Sequence, residues 1–220
     1  MNDTPPASPD SSTQPPGSLA SRAAVRAPAE ALAHLLAGNR RFVSGQPVHG
    51  HDVSAAAEAA ASGDQQPDAV VIGCIDSRVP LEAIFDQTFG SICVARSGGH
   101  VLDRALLGSV EFAVAVLGVP LVLVLGHERC GAVAATVSAL RTGQPPTGPM
   151  AYLVEQIAPA VTDVGVNHPD AQAQSMRRHV DRTVATLGAE PGLGEARRAG
   201  RLDIVGAVYD LETGLVNVLD

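Results

Sequence analysis

Leu121-Val122-Leu123-Val124-Leu125 runs directly into Gly126-His127-Glu128-Arg129-Cys130-Gly131. The leucine–valine run carries no polar face, so it reads as a short strand buried on both sides. Two similar runs precede it, Ala69-Val70-Val71-Ile72-Gly73-Cys74 and Ile92-Cys93-Val94-Ala95. Between the last two strands, Asp103 to Leu117 has helical spacing, with Asp103 as its N-cap. After the third strand, Gly131 to Arg141 reads as a helix, stopped by Gly143-Gln144-Pro145-Pro146-Thr147-Gly148-Pro149. Helical stretches then fill about Met150 to Val164 and Pro169 to Leu187. Arg201 to Tyr209 reads as a fourth strand, and Leu215 to Leu219 pairs with it through the turn Glu212-Thr213-Gly214. Strands alternating with helices define an α/β fold with a mainly parallel sheet and right-handed crossovers.

The ends of the chain set the domain limits. Residues 1–27 are rich in Pro, Ser, Thr, Asp and Gln and bury too little apolar surface to offset ordering entropy, so they read as a disordered tail. Residues 28–220 read as one catalytic domain. Its first element is a helical arm from Pro28 to Val43, with Leu32, Leu35, Leu36 and Phe42 at near-helical spacing. Ser44-Gly45-Gln46-Pro47 ends that arm, and a weaker Ala-rich helix follows from about Val53 to Ala61.

Composition excludes several classes of function. Fifteen Lys and Arg against 23 Asp and Glu give a net charge of −8, the wrong sign for a nucleic-acid binder. Aromatic residues are only 3% and Trp is absent, so the core must come from Ala, Val, Leu and Ile. Three cysteines cannot form a disulfide framework and suit a reducing compartment. The N-terminus has neither a basic nor an apolar region of a secretory signal. The most apolar stretch, Val110 to Gly126, is interrupted by Glu111 and Pro120 and is too short to cross a bilayer. A soluble cytoplasmic protein, with no membrane partner, is the expectation.

Two short motifs carry the chemistry, each immediately after a strand of the expected sheet centre. Cys74-Ile75-Asp76-Ser77-Arg78 places a thiol, a carboxylate and a guanidinium two residues apart, on one side if the backbone stays extended. Asp76 and Arg78 at that spacing suit a charge-assisted pair. Gly126-His127-Glu128-Arg129-Cys130-Gly131 adds an imidazole and a second thiol, three apart, where a strand turns into a helix. A lone cysteine in an apolar strand is ordinarily a packing residue. Two strand-end motifs each bearing soft donors point instead to Zn²⁺, with Cys74, His127 and Cys130 leaving a fourth position free. A purely structural zinc site would call for a fourth protein ligand and a CxxC spacing, and the chain has no CxxC.

These motifs resemble the β-class carbonic anhydrases, and specifically bacterial, actinobacterial-type members. The resemblance rests on Cys74-x-Asp76-Ser77-Arg78 with Val79-Pro80 and Ile84-Phe85-Asp86, on Val94-Ala95-Arg96, on Gly108-Ser109-Val110-Glu111-Phe112-Ala113-Val114, and on Gly126-His127-x-x-Cys130-Gly131-Ala132-Val133. Val205 to Asp210 with Thr213-Gly214 matches the last strands, so the likeness spans about residues 28 to 219.

The resemblance implies a four- or five-stranded, mainly parallel sheet and a homodimer or dimer of dimers with N-terminal helices wrapping the partner. It implies zinc on Cys74, His127 and Cys130, and catalytic roles for Asp76 and Arg78. As in some members of that family, it implies that Asp76 can take the fourth zinc position in a closed, inactive state. The implied reaction is reversible hydration of CO2 to bicarbonate and a proton by hydroxide generated at the metal.

Gln87, Ser97, Gly98 and Gly99 are candidate pocket residues. Gln87 either hydrogen-bonds bicarbonate across a dimer or faces solvent. Ser97-Gly98-Gly99-His100 stands where related chains commonly read Asn-Ala-Gly-Asn. Without Trp, an allosteric bicarbonate site that uses one cannot form in the same way. Cys93 reads as a core residue, with a fourth thiolate ligand as the alternative. His49 and His51 read as solvated loop residues, and Glu128 as a helix-start acid favoured by the dipole. Two other functions compete: hydrolysis of carbonyl sulfide or carbon disulfide at the same zinc site, and a non-catalytic zinc-stabilised binding module.

Overall fold

A computed structural model describes residues 26–49, 61 and 65–220. The expected tail before Arg26, the Ala-rich helix from Val53 and His51 lie outside the described residues. Helix α1 (Pro28–Val43) opens the fold, with Pro28 in its first turn and Glu30 Oε2 accepting a 3.2 Å hydrogen bond from the Ala27 N–H. There follow β1 (Ala69–Cys74), the one-turn α2 (Leu81–Ile84), β2 (Ile92–Ser97), a 3-10 turn at Gly98–His100 and α3 (Arg104–Ala115). Next come β3 (Leu121–His127), α4 (Gly131–Thr142), α5 (Pro149–Val164), α6 (Ala171–Ala189), α7 (Pro191–Arg198), β4 (Asp203–Tyr209) and β5 (Val216–Val218). As expected, Asp103 caps α3, accepting from the Leu106 N–H at 2.7 Å.

The five strands lie in the order β2-β1-β3-β4-β5. All neighbours are parallel except the last pair, β4 and β5. Two cores follow from the period-two alternation of the strands. Val70, Ile72, Val122 and Val124 point to one face and pack under α3 to α7. Val71, Leu121, Leu123 and Leu125 point to the other, against Ala31 and Leu35 of α1 and Leu81 and Ile84 of α2. Helix α6 seats closely on the first face. A Cβ built at Gly126 would lie 2.6 Å from Met176 Sδ, and one at Gly206 2.7 Å from Val180 Cγ1.

Two readings are corrected. β2 is an edge strand, half-exposed along its length, and not a strand buried on both faces. Its short run of apolar residues gives no way to tell edge from centre, because sheet order is a long-range property. The backbone does not stay extended through Cys74 to Arg78: β1 ends at Cys74, and the Val79 N–H closes a turn on the Asp76 carbonyl. Helix α7 falls on a stretch, after Leu187 and before Arg201, to which the sequence pattern assigned no element. Pro at its first turn and the burial of Leu193 and Ala196 supply what its glycines lack.

Asn39 ties α1 to the far end of the sheet. Its Nδ2 donates to the Ile84 carbonyl at 3.2 Å and the Gly214 carbonyl at 2.8 Å, and its Oδ1 accepts from the Val216 N–H at 2.9 Å. Asn39 is buried. Asn39→Ala strands these backbone groups, and the expected loss is about 3 kcal/mol, read as a lowered urea midpoint at unchanged slope. An unshifted midpoint would show that the three bonds contribute nothing net.

Candidate metal centre

The chain passes from β1 outward to β2, then returns to β3 on the other side of β1. The carboxyl ends of β1 and β3 therefore diverge at the point where an open α/β sheet forms its binding crevice. Cys74 is the last residue of β1 and His127 the last of β3. Cys130 is the N-cap of α4, reached through Arg129 in the left-handed region at φ 51°. One ligand atom from each of Cys74, His127 and Cys130 lies within 4.8 Å of the others, and all three residues are buried.

Hydrogen bonds set the donor chemistry. His127 Nδ1 lies 2.8 Å from the Glu128 carbonyl, which only accepts, so Nδ1 carries the proton and Nε2 presents a bare lone pair. That Nε2 is buried with no hydrogen-bond partner. Its orphaned lone pair beside two thiols fits a soft divalent cation. The bond with the Cys130 thiol, opposed by burial and aided by His127 and the Gly99 N–H, holds Cys74 down to about 4. The same shared proton, together with burial, pushes Cys130 well above the ordinary thiol range. The pair thus gives up one proton readily and a second only to a stronger competitor, such as a metal ion.

Asp76 sits beside this cluster, its Oδ2 3.9 Å from His127 Nε2. Arg78 grips it at both oxygens, Nε to Oδ1 at 3.0 Å and the terminal amino group to Oδ2 at 2.7 Å. That bidentate bond holds the Asp76 carboxyl far below the usual carboxylate range. Arg96 was quoted in the sequence only as part of a motif. It braces the turn from β2, donating to the Cys74 and Asp76 carbonyls, both at 2.7 Å.

A cavity of about 300 Å³ opens onto Cys74 and Asp76. Gly98 and Gly99 line it, with apolar walls from Ile75, Ala132, Leu153 and Val154. Two of the candidate pocket residues lie elsewhere. Ser97 turns its hydroxyl onto the Val101 carbonyl at 2.7 Å. Gln87 is buried, so the solvent-facing alternative is corrected: its Nε2 donates to the Phe85 carbonyl at 2.9 Å, and it borders a separate cavity. Cys93 is half-buried on β2, and among the described residues it is no part of the donor cluster.

The sequence reading also missed a buried histidine pair behind the cavity. His100 and His179 stack with ring centroids 4.3 Å apart. Their signal was faint: His179 follows Ala171, Ser175 and Met176 on the buried stripe of α6, a polar residue at a core position. Burial pushes His179 down to about 4, opposed by its bond to Gly99 and assisted by Arg182. Burial and the neighbouring imidazoles of His179 and His127 also push His100 down. An unfolded histidine takes up its proton near pH 6.5 while the native one does not until about 4. Stability is therefore full above pH 6.5 and is lost as pH falls from there to about 4, by on the order of 3 kcal/mol for His179. His179→Gln should flatten that part of a denaturation-versus-pH curve; an unchanged slope would refute the assignment.

Fold comparison with solved structures defines the class. The β-carbonic anhydrase of Coccomyxa, solved with acetazolamide, superposes with a TM-score of 0.64 at 26% identity, covering 86% of each chain. One of two tetrameric β-carbonic anhydrases from Sordaria macrospora gives a TM-score of 0.66 at 22% identity, over 76% of this chain and 91% of that one. The scaffold is that of the β-class carbonic anhydrases.

Sequence comparison goes further. The carbonic anhydrase family profile matches residues 69–216. Carbonic anhydrase 2 of Mycobacterium tuberculosis H37Rv is 44% identical over 191 residues, 85% of this chain and 90% of the relative. The carbonic anhydrase of Mycolicibacterium smegmatis is 43% identical over 195 residues, 87% of this chain and 93% of the relative. The chain belongs to the carbonic anhydrase family and is an enzyme of it, which sets aside the non-catalytic binding module.

Proposed function

We propose that this enzyme hydrates CO2 reversibly to bicarbonate and a proton, with Zn²⁺ held by Cys74, His127 and Cys130. The observation that supports this most strongly is the buried, unpaired Nε2 of His127 within 4.8 Å of two buried thiols. Two thiolates and a neutral imidazole give a neutral zinc site, and zinc there supplies a water acidified enough to attack CO2 near neutral pH.

The chain's own residues do the rest. Asp76, ionised under its Arg78 clamp, would accept a hydrogen bond at Oδ2 from the attacking water and so aim the oxygen lone pair at carbon. Arg78 keeps Asp76 away from the metal's free position. The apolar walls of Ile75, Ala132, Leu153 and Val154 favour a nonpolar gas over bulk water, while Gly98 and Gly99 keep the approach narrow without side chains.

Ile75 is 66% exposed and Met150 61%, both at this cavity, and we read this edge as covered by a second copy in a homodimer or dimer of dimers. Among the described residues no helix is long and apolar enough to cross a membrane. That and the free thiols support a cytoplasmic setting.

Stopped-flow CO2 hydration by the zinc-loaded protein, with Cys74→Ser as control, tests the reading. Hydration well above background, lost in the control, is expected. Faster release of sulfide from carbonyl sulfide or carbon disulfide than hydration of CO2 would overturn it in favour of the hydrolase.

A further inference from the structure

We propose that His179 is a positioning residue for the Cys74 ligand, acting through Gly99. This rests on Cys74 being a metal ligand. Two hydrogen bonds in series make the link. His179 Nε2 lies 3.0 Å from the Gly99 carbonyl, and the Gly99 N–H donates to Cys74 Sγ at 3.3 Å. A carbonyl only accepts, so His179 is the Nε2–H tautomer. The imidazole grips the carbonyl of the same residue whose amide caps the sulfur, and so fixes that amide's direction.

The backbone there needs such a restraint. Gly99 is in the left-handed region at φ 63°, and His100 follows it at φ 48°. Glycine adopts this freely, and a Cβ at Gly99 would lie 2.9 Å from Ile157 Cδ1 and 3.0 Å from Ala132 Cβ. His100 has a Cβ and does not adopt it freely. Its ring is fully buried with both nitrogens unpaired, and its visible hold is the stack on His179. His179 therefore secures the 3-10 turn twice, by the carbonyl bond and by the ring face.

The consequence falls on the sulfur. An N–H aimed at a thiolate withdraws electron density from it and fixes its lone pairs, which sets its strength and direction as a donor. Without His179 the turn relaxes, the N–H swings off Cys74, and the ligand becomes more electron-rich and less well placed.

Cobalt substitution reads this directly, because the thiolate-to-metal charge-transfer band follows the electron density on sulfur. In His179→Leu the band should move to lower energy, and zinc affinity, measured by chelator competition at fixed pH, should fall about tenfold or more. His179→Gln, whose Nε2 also donates though it lacks the ring face, should lie closer to wild type than to the leucine variant in both band position and zinc affinity. A leucine variant that keeps both properties overturns the proposal, as does a glutamine variant that behaves like leucine.

Should the leucine variant not fold, ¹⁵N spectra of the wild-type holoenzyme at neutral pH decide. A protonated Nε2 on His179 supports the link and a bare one overturns it. Cys74→Ser in the same titration separates the premise from the inference. If that variant holds zinc and its charge-transfer band like wild type, the ligand reading itself has failed.

Discussion

Cys130→Ser should cost the protein its zinc and its catalysis together. Zinc sites of this kind bind with free energies on the order of 10 kcal/mol or more at neutral pH, so one ligand in three accounts for roughly 3 kcal/mol, about a hundredfold in affinity. Cys130 is the more damaging of the two thiols to lose, because its position depends on local structure at both sides. It caps α4, where the helix dipole favours a thiolate, and it follows Arg129 in a left-handed turn.

A serine there keeps the turn and the volume but offers a weakly acidic hydroxyl that zinc does not deprotonate easily. Metal content after dialysis against a mild chelator should fall from near one equivalent towards none. Hydration should fall on the order of a thousandfold, since the activated water is lost with the metal. A variant that keeps stoichiometric zinc and turns over at the wild-type rate would remove Cys130 from the site.

What could be read in the chain and what could not divides along one physical line. The central strands were legible because burial on both faces leaves an uninterrupted apolar run, and β1 begins and ends where Ala69 and Cys74 were read. The residues of the donor cluster were legible because each stands at the end of such a run or in the turn just after it, where the crevice must form. Sheet order was not: β2 looks like β1 in composition, and only the packing of the whole chain makes it the edge. The same limit hid the residues around the donor cluster.

Gly99 and His179 are separated by 80 positions and Arg96 and Cys74 by 22, so no local pattern links them. Gln87 shows the converse. A polar side chain near a turn can satisfy itself locally, and here it bonds to the carbonyl two residues back, a short-range contact.

Arg78→Ala should inactivate the enzyme without unfolding it or emptying the metal site. Arg78 is about half exposed and touches little besides Asp76, with one long 3.5 Å contact to the Arg129 carbonyl, so its loss leaves the core intact. What it releases is Asp76. That carboxylate already stands 3.9 Å from His127 Nε2. The Arg78 backbone N–H, which alanine keeps, still holds Oδ1 at 3.0 Å, but the guanidinium is what holds Oδ2. Freed at Oδ2, it could turn toward the donor cluster, where it would occupy the position that a bound metal needs for water.

The expected loss at neutral pH is between about ten- and a hundredfold in kcat/KM, the range found when the partner of a metal-site residue is removed. The pH dependence gives the sign of the mechanism. Closure competes with hydroxide for one position, so the deficit should be deepest at acid and neutral pH and shrink as pH rises. Asp76→Asn separates the two duties of the carboxylate. It cannot close the site as an anion and is only a weaker, uncharged acceptor for the water's hydrogen bond, so it should lose activity at every pH with no alkaline recovery. An Arg78→Ala enzyme close to wild type across neutral and mildly alkaline pH would sink the clamp, and one with a deficit independent of pH would leave Arg78 as an orienting group only.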